Sequence, residues 1–426
     1  MTGLSETTGF SVAAVLERYL PDFERTYGLP HRPGRILRKL IDCRTPSAGC
    51  HAWQCLECGH VCANYNSCGD RHCLTCGTAQ RMAWLERMES WTLPCHYWHI
   101  VFTVPHEFND LAAANPRHMY GLLFAAGTHS LLRCLGREFD VVPSITSVLH
   151  TWGQAMLPHL HSHNVVSCGG LSRDGNRWID IDPHDPRLAR MLPPLYRELF
   201  LKRLRKLFAK GCLTLPPALA PIKTPAHFDT WLSLIAEKPW MVNVQAPPAG
   251  CEGPATALGY LSRYMAGACI GDQRILGDDG ANVTIRIKDY RNGGGEDHIT
   301  MPGVEFIRRL IQHILPPRFR RVRYSGVLGQ RDRKAHLDHC RELLKDRIEP
   351  KVETPPETPT KETTDDEDRR EEATTPKACP RCHARNLIFI EEYWPLEMES
   401  HGHQTEPPPA DSAPRPTRTP REPIPP

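Results

Sequence analysis

The 426 residues carry 52 Lys+Arg against 49 Asp+Glu, a net charge of +3, so the overall balance selects no partner class. No run approaches the ~20 apolar residues of a membrane span, and the opening "MTGLSETTGFSVAAVLERYL" lacks the basic and long apolar regions of a secretory leader. A cytoplasmic chain of two or three domains without membrane contact is expected, its 17 cysteines kept as thiols rather than disulfides.

Taken in chain order, residues 10–41 read as helix, with Val12, Leu16, Tyr19, Leu20 and Phe23 at helical spacing. The basic "HRPGRILRKL" follows, then a Cys- and His-dense stretch over 43–76 and a helix from about Ala79 to Glu89. "HYWHIVFTVP" (96–105), "WIDIDP", "WMVNVQAP" and "VTIRIKDYR" are predicted strands, rich in aromatic and β-branched residues. Residues 110–135, 194–211, 257–266 and 303–315 are predicted helices, that at 194–211 basic and amphipathic. From about 346 the composition changes: the last 76 residues hold 15 of the 40 prolines and acidic Thr/Glu-rich blocks, which predicts disorder around one island, "ACPRCHARNLIFIEEYW". These shifts predict three parts: 1–95, an N-terminal helix with the Cys-rich stretch; 96–345, a mixed helix and strand domain; and 346–426, the Pro-rich tail.

Eight cysteines lie between Cys43 and Cys76. Cys55-x-x-Cys58 and Cys73-x-x-Cys76, 14 residues apart, are the expected four thiolates of a structural zinc, a closed tetrahedral set with no position for substrate. Cys43, His51, Cys68 and His72 are candidate ligands for a second zinc. Cys379-x-x-Cys382 has no second pair nearby in sequence, leaving His401 and His403 as weak candidates to complete it.

In "LPHLHSHNVVSCGG", His159, His161 and His163 alternate, so on a strand they share one face. Alone this is as compatible with an ordinary strand as with a metal site. "GYLSRYM" adds Tyr260 and Tyr264, which share one helix face at i and i+4. Imidazoles holding a divalent cation and a tyrosine phenolate attacking phosphorus together make a strand-cleaving and strand-joining chemistry that needs no ATP. Residues 305–334 hold nine Lys/Arg against two acids, and Arg308, Arg309, Arg318, Arg320, Arg321 and Arg323 are the candidate phosphate-binding cations.

From about residue 35 to about 345 the chain resembles the insertion sequence 91 family of transposases, two-tyrosine members of the HUH endonuclease superfamily. The motifs that carry the resemblance are "CHAWQCLECGHVCANYNSCGDRHCLTCG", "YWHIVFTVPHEF", "LHTWGQAMLPHLHSHNVVSCGGL", "KPWMVNVQAP", "LGYLSRYMAGACIGDQRI", "IKDYRNG" and "EFIRRLIQHILPPRFRRVRYSGVLGQR", in that order. The resemblance implies an α+β fold, an antiparallel-sheet HUH palm flanked by helices and preceded by a small zinc-binding domain. It implies cleavage and joining of single-stranded transposon ends and target DNA, of rolling-circle type, through a 5′-phosphotyrosine on Tyr260 or Tyr264. It also implies magnesium or manganese as catalytic ion on His161 and His163, with His159 and Gln154 as further candidate ligands. One residue departs from the family's His-hydrophobic-His pattern: Ser162 stands between the two histidines. That departure keeps open a non-catalytic zinc DNA-binding protein derived from a transposase; a replication initiator or relaxase of the same chemistry is a further alternative.

Overall fold

The computed structural model describes residues 10–247, 259, 268–289, 295–345 and 378–393. In chain order its elements are α1 (Val12–Tyr27), α2 (His31–Asp42), β1 (Cys50–Cys55), β2 (Val61–Tyr65), α3 (Leu74–Trp91), β3 (Tyr97–Thr103), α4 (Asn109–Ala114), α5 (Pro116–Glu138), β4 (Val141–Val142), β5 (Ser144–Trp152), β6 (Pro158–Ser167), β7 (Gly169–Ser172), β8 (Trp178–Asp180), α6 (Pro186–Ala209), α7 (Pro225–Ala236), β9 (Val242–Gln245), β10 (Ile275–Asp278), β11 (Asn282–Asp289), β12 (Gly295–Pro302), α8 (Gly303–Ile311), β13 (Val322–Gly326), α9 (Arg333–Leu344) and β14 (Leu387–Tyr393). The predicted helix over 10–41 is two helices: Gly28, at φ 68, caps α1 and its N–H donates to the Glu24 carbonyl. The predicted helix over 110–135 is likewise interrupted, at Asn115, whose side chain donates to the Leu111 and Thr214 carbonyls.

The described residues form two compact units. One contains 10–41 and 70–345, the other 42–69 and 378–393. This division differs from the expected boundary at residue 95. The N-terminal helix belongs with the large unit, because Leu16, Tyr19 and Phe23 of α1 share a core with Phe306 and Ile307 of α8 and with Val283 and Ile285 of β11. The island at 378–393 belongs with the cysteine-rich ribbon rather than with a separate tail.

The large unit is built around an antiparallel five-stranded sheet, ordered β13-β5-β6-β3-β9, with β6 at its centre. Alternation gives the sheet two unlike faces. One presents Trp98, Ile100 and Phe102 of β3, Ile145 and Leu149 of β5, and Leu160 and Val166 of β6. These pack against Leu122, Leu123 and Ala126 of α5, Leu192, Tyr196 and Phe200 of α6, and Phe228 and Leu232 of α7. Gly127 lets α5 approach closely, since a Cβ there would stand 3.1 Å from the Phe102 ring. The opposite face carries the histidines. The smaller unit is a three-stranded antiparallel sheet in the order β14-β1-β2.

Candidate metal and DNA-processing sites

β6 sets its histidines by register. His161 lies directly opposite His150 of β5, and His163 opposite Val148 of β5 and Val101 of β3. A ligand nitrogen from each of His150, His161 and His163 lies within 4.8 Å of the others. His161 Nε2 and His163 Nε2 are 3.1 Å apart. Each ring's other nitrogen is committed. His161 Nδ1 donates to the His159 carbonyl at 2.8 Å. His163 Nδ1 lies 2.9 Å from His99 Nε2, and His99 Nδ1 lies 2.9 Å from Gln245 Oε1. An amide oxygen only accepts, so with the side chain so oriented His99 carries its proton on Nδ1, and His163 Nδ1–H must then donate to His99 Nε2. Both facing Nε2 atoms are left with lone pairs.

Burial keeps these rings neutral. It pushes His161 down to about 4, the nearby His159 adding to the effect. Burial, then the proximity of His150, His161, His99 and Arg321, holds His163 well below the ordinary histidine range. Two lone pairs directed at one another repel unless a cation lies between them. Two nitrogens bound at ~2.1 Å to one ion stand about 3.0 Å apart at a right angle, which the observed spacing matches. Dry histidines whose second nitrogens are fixed by outer contacts are the usual preparation for metal binding.

His150 is a member of this set that sequence reasoning missed; only its strand pairing with His161 reveals it. Its ring stacks on Trp152 at 4.7 Å. His159 stays on the same face but is exposed and outside the three-residue set; its carbonyl, not its ring, orients His161. Gln154 sits in the turn between β5 and β6, where its carbonyl accepts from the Arg274 guanidinium. Ser162 points to the opposite, helix-covered face, opposite Phe102 and Leu149. There it is 1% exposed, and its hydroxyl accepts from Asn164 Nδ2 at 3.1 Å, which also donates to the Ile100 carbonyl. The polar residue is thus satisfied within the core and leaves the histidine face unchanged. Tyr260 and Tyr264 lie outside the described residues, as do His401 and His403 and the tail segments expected to be disordered.

The six candidate DNA-binding arginines separate into two groups. Arg308 and Arg309 both pair with Glu305, and Arg309 also donates to the Ala155 carbonyl at 2.9 Å. Arg321 donates to the Leu149 carbonyl and lies 5.3 Å from the Trp152 ring centre, so burial lowers it to about 10. Arg323 stacks over Phe124 at 4.4 Å. Arg318 and Arg320 are exposed.

In the small unit, Cys55 and Cys58 meet Cys379 and Cys382, all four sulfurs within 4.8 Å of one another. The set expected from spacing, Cys55 and Cys58 with Cys73 and Cys76, is not the one gathered around Cys55. Cys73 instead caps α3, and Cys76 lies in that helix's first turn. Cys43 accepts from the Cys68 backbone N–H at 3.5 Å. The expected histidine ligands have other partners: His51 Nε2 lies 3.4 Å from Glu392, while His72 bonds Asp70 through Nδ1 at 2.7 Å and accepts from the Leu315 N–H through Nε2.

Known proteins place these features. The family model described as "Putative transposase" matches residues 144–335, and that described as "Transposase zinc-binding domain" matches 15–104. The chain is 36% identical over 390 residues to the "Putative transposase y4qJ" of Sinorhizobium fredii (strain NBRC 101917 / NGR234), covering 90% of this chain and 96% of that one. It is 26% identical over 310 residues to the transposase for insertion sequence element IS801 of Pseudomonas savastanoi pv. phaseolicola, covering 72% of this chain and 73% of that one. A solved structure, the conjugative relaxase TrwC in complex with mutant OriT DNA, matches at 17% identity and a TM-score of 0.22, over 26% of this chain and 44% of that one. No described helix is long and apolar enough to cross a membrane. The chain belongs to the insertion sequence 91 family of transposases, with the family's N-terminal zinc-binding domain.

Proposed function

We propose that this transposase cuts and rejoins single-stranded DNA by tyrosine transesterification, in the rolling-circle manner, at a divalent cation held by His150, His161 and His163. The observation that carries the reading is the approach of His161 Nε2 and His163 Nε2 to 3.1 Å, with the second nitrogen of each ring facing another partner. The sheet around them, antiparallel with paired histidines on its central strand and helices on the far face, fits the HUH palm. A magnesium or manganese ion there would polarise a phosphate oxygen and offset charge building on phosphorus. Imidazole nitrogens alone suit such oxygen-preferring ions poorly, so an ion held there would need oxygen ligands from substrate and water as well.

This chain's own residues then do the following. The His159 carbonyl and the His99–Gln245 pair fix the His161 and His163 tautomers and aim their Nε2 atoms toward one another. A phenolate oxygen of Tyr260 or Tyr264 bonds to phosphorus, the bond from phosphorus to the 3′ oxygen breaks, and that oxygen takes up a proton. Attack of a 3′-hydroxyl on the 5′-phosphotyrosine reverses the step, rejoins a strand and returns the phenol. The second tyrosine holds a second strand meanwhile. Of the six candidate arginines, Arg318 and Arg320 are the ones exposed to meet the DNA backbone. The matched zinc-binding domain spans the thiols Cys43, Cys68, Cys73 and Cys76.

The test mixes purified protein, single-stranded DNA from an element end and magnesium, and looks for a covalent adduct on a denaturing gel. Wild type should form it, and the Tyr260→Phe/Tyr264→Phe variant should not. An adduct in the double variant, or none in wild type, overturns the mechanism.

A further inference from the structure

Cys55 and Cys382 place their sulfurs 3.5 Å apart, and Cys58 and Cys379 place theirs 3.7 Å apart. Four thiolates around zinc at ~2.3 Å stand about 3.8 Å from one another. The two pairs sit on turns of the same construction. The Gly59 N–H donates to the Cys55 carbonyl and the Cys55 N–H to the His60 carbonyl, both at 2.9 Å. The His383 N–H donates to the Cys379 carbonyl at 2.9 Å and the Cys379 N–H to the Ala384 carbonyl at 2.8 Å. In each turn the residue after the second cysteine is left-handed, Gly59 at φ 70 and His383 at φ 60. A non-glycine residue there is uncommon, and here it closes the second turn around the thiols. The arrangement is two matched metal-binding knuckles facing one another, from segments 321 residues apart.

Packing alone gives little reason for this meeting. β14 pairs with β1 from Cys50↔Tyr393 to Cys55↔Leu387, yet Ile388, Phe389 and Ile390 are 43%, 50% and 44% exposed. Among the described residues its side-chain contacts include Phe389 edge-on to Trp53 at 5.5 Å and tilted against His51 at 5.9 Å, and Glu392 beside His51, while Asn386 just before the strand donates to Glu57 at 2.8 Å. Such a strand buries too little apolar surface to offset the entropy of holding distant chain segments together. A bound metal supplies what the packing lacks.

We propose that Cys55, Cys58, Cys379 and Cys382 form a zinc site that clamps the C-terminal strand onto the cysteine-rich ribbon. The matched zinc-binding domain ends at residue 104, so two of the four ligands come from outside it. Each thiol releases its proton as its bond to zinc forms, so binding weakens as pH falls. All four positions are filled by sulfur, which makes the site structural and leaves none for substrate.

The test measures zinc per chain in the full-length protein by metal mass spectrometry. Cys379→Ser/Cys382→Ser and Cys55→Ser/Cys58→Ser should each remove about one zinc, and the four substitutions together no more than that. Zinc content unchanged by Cys379→Ser/Cys382→Ser overturns the site, as does iron in place of zinc. Wild-type protein gives a reading independent of variant folding. Alkylation of Cys55, Cys58, Cys379 and Cys382 should be slow and should accelerate together when a chelator is added. Cys379 and Cys382 alkylating at the same rate before and after chelation contradicts the proposal.

Discussion

Four sulfurs in the small unit surround a point from two facing turns, whereas three imidazoles in the large unit approach theirs from one face of a sheet. The first arrangement completes a tetrahedral shell with protein atoms. The second supplies only part of a shell, on rigid strands, and leaves the rest to be filled by oxygen ligands. On the proposed readings, the difference separates a site that would hold chain together from one that would hold a reacting phosphate. It also explains why the histidines are oriented by outer partners, His99, Gln245 and the His159 carbonyl, while the thiols are oriented by their own turns.

The largest effect that would break this comparison is on the imidazoles. His161→Ala or His163→Ala should reduce single-strand cleavage beyond the about 10–100-fold typical of losing an outer contact, while binding of the same oligonucleotide persists. Cleavage by either variant at the wild-type rate would remove the histidines from the chemistry. Chelation sharpens the contrast. A weak chelator should stop cleavage without lowering the melting temperature, and added magnesium or manganese should restore it. Stripping zinc with a strong chelator should expose 387–393 to protease.

The next effects separate individual imidazoles. His150→Ala should behave as His161→Ala does, and His159→Ala should retain most activity, since its carbonyl rather than its ring orients His161. Equal losses in both variants would place His159 in the set as well. His99→Ala should lower activity about 10–100-fold, with excess metal recovering part of it, because a tautomer-fixing contact is lost rather than a ligand. The smallest effect belongs to Ser162. Ser162→Ala should cost about 1 kcal/mol in denaturant unfolding and leave the cleavage rate unchanged, because the hydroxyl serves Asn164 on the far face.

What the sequence made legible follows from how local each signal is. β3, β9 and β11 and the basic helix α6 are carried by composition and periodicity within a few residues, as is the same-face placement of His161 and His163. His150 was hidden because its role comes from pairing with another strand, and "SITSVLHTW" carries no metal-ligand spacing of its own. Cys379-x-x-Cys382 was legible as a pair, but its meeting with Cys55 and Cys58 was hidden for the same reason at longer range: spacing ties Cys55 to the nearest later pair, and nothing local shows that a strand 321 residues on returns to β1. The arginine run is legible only as charge density. Charge density reads as DNA contact, yet Arg308 and Arg309 are taken by Glu305, and Arg321 and Arg323 lie over aromatic rings.

The central claim, that His150, His161 and His163 form the catalytic metal centre, is tested most directly by pulsed electron paramagnetic resonance of the manganese-loaded protein. The account predicts coupling to imidazole nitrogen in wild type and a reduced number of coupled nitrogens in the His161→Ala/His163→Ala variant, where only His150 of the set remains. Manganese bound without nitrogen coupling, or coupling undiminished by the double substitution, would contradict it.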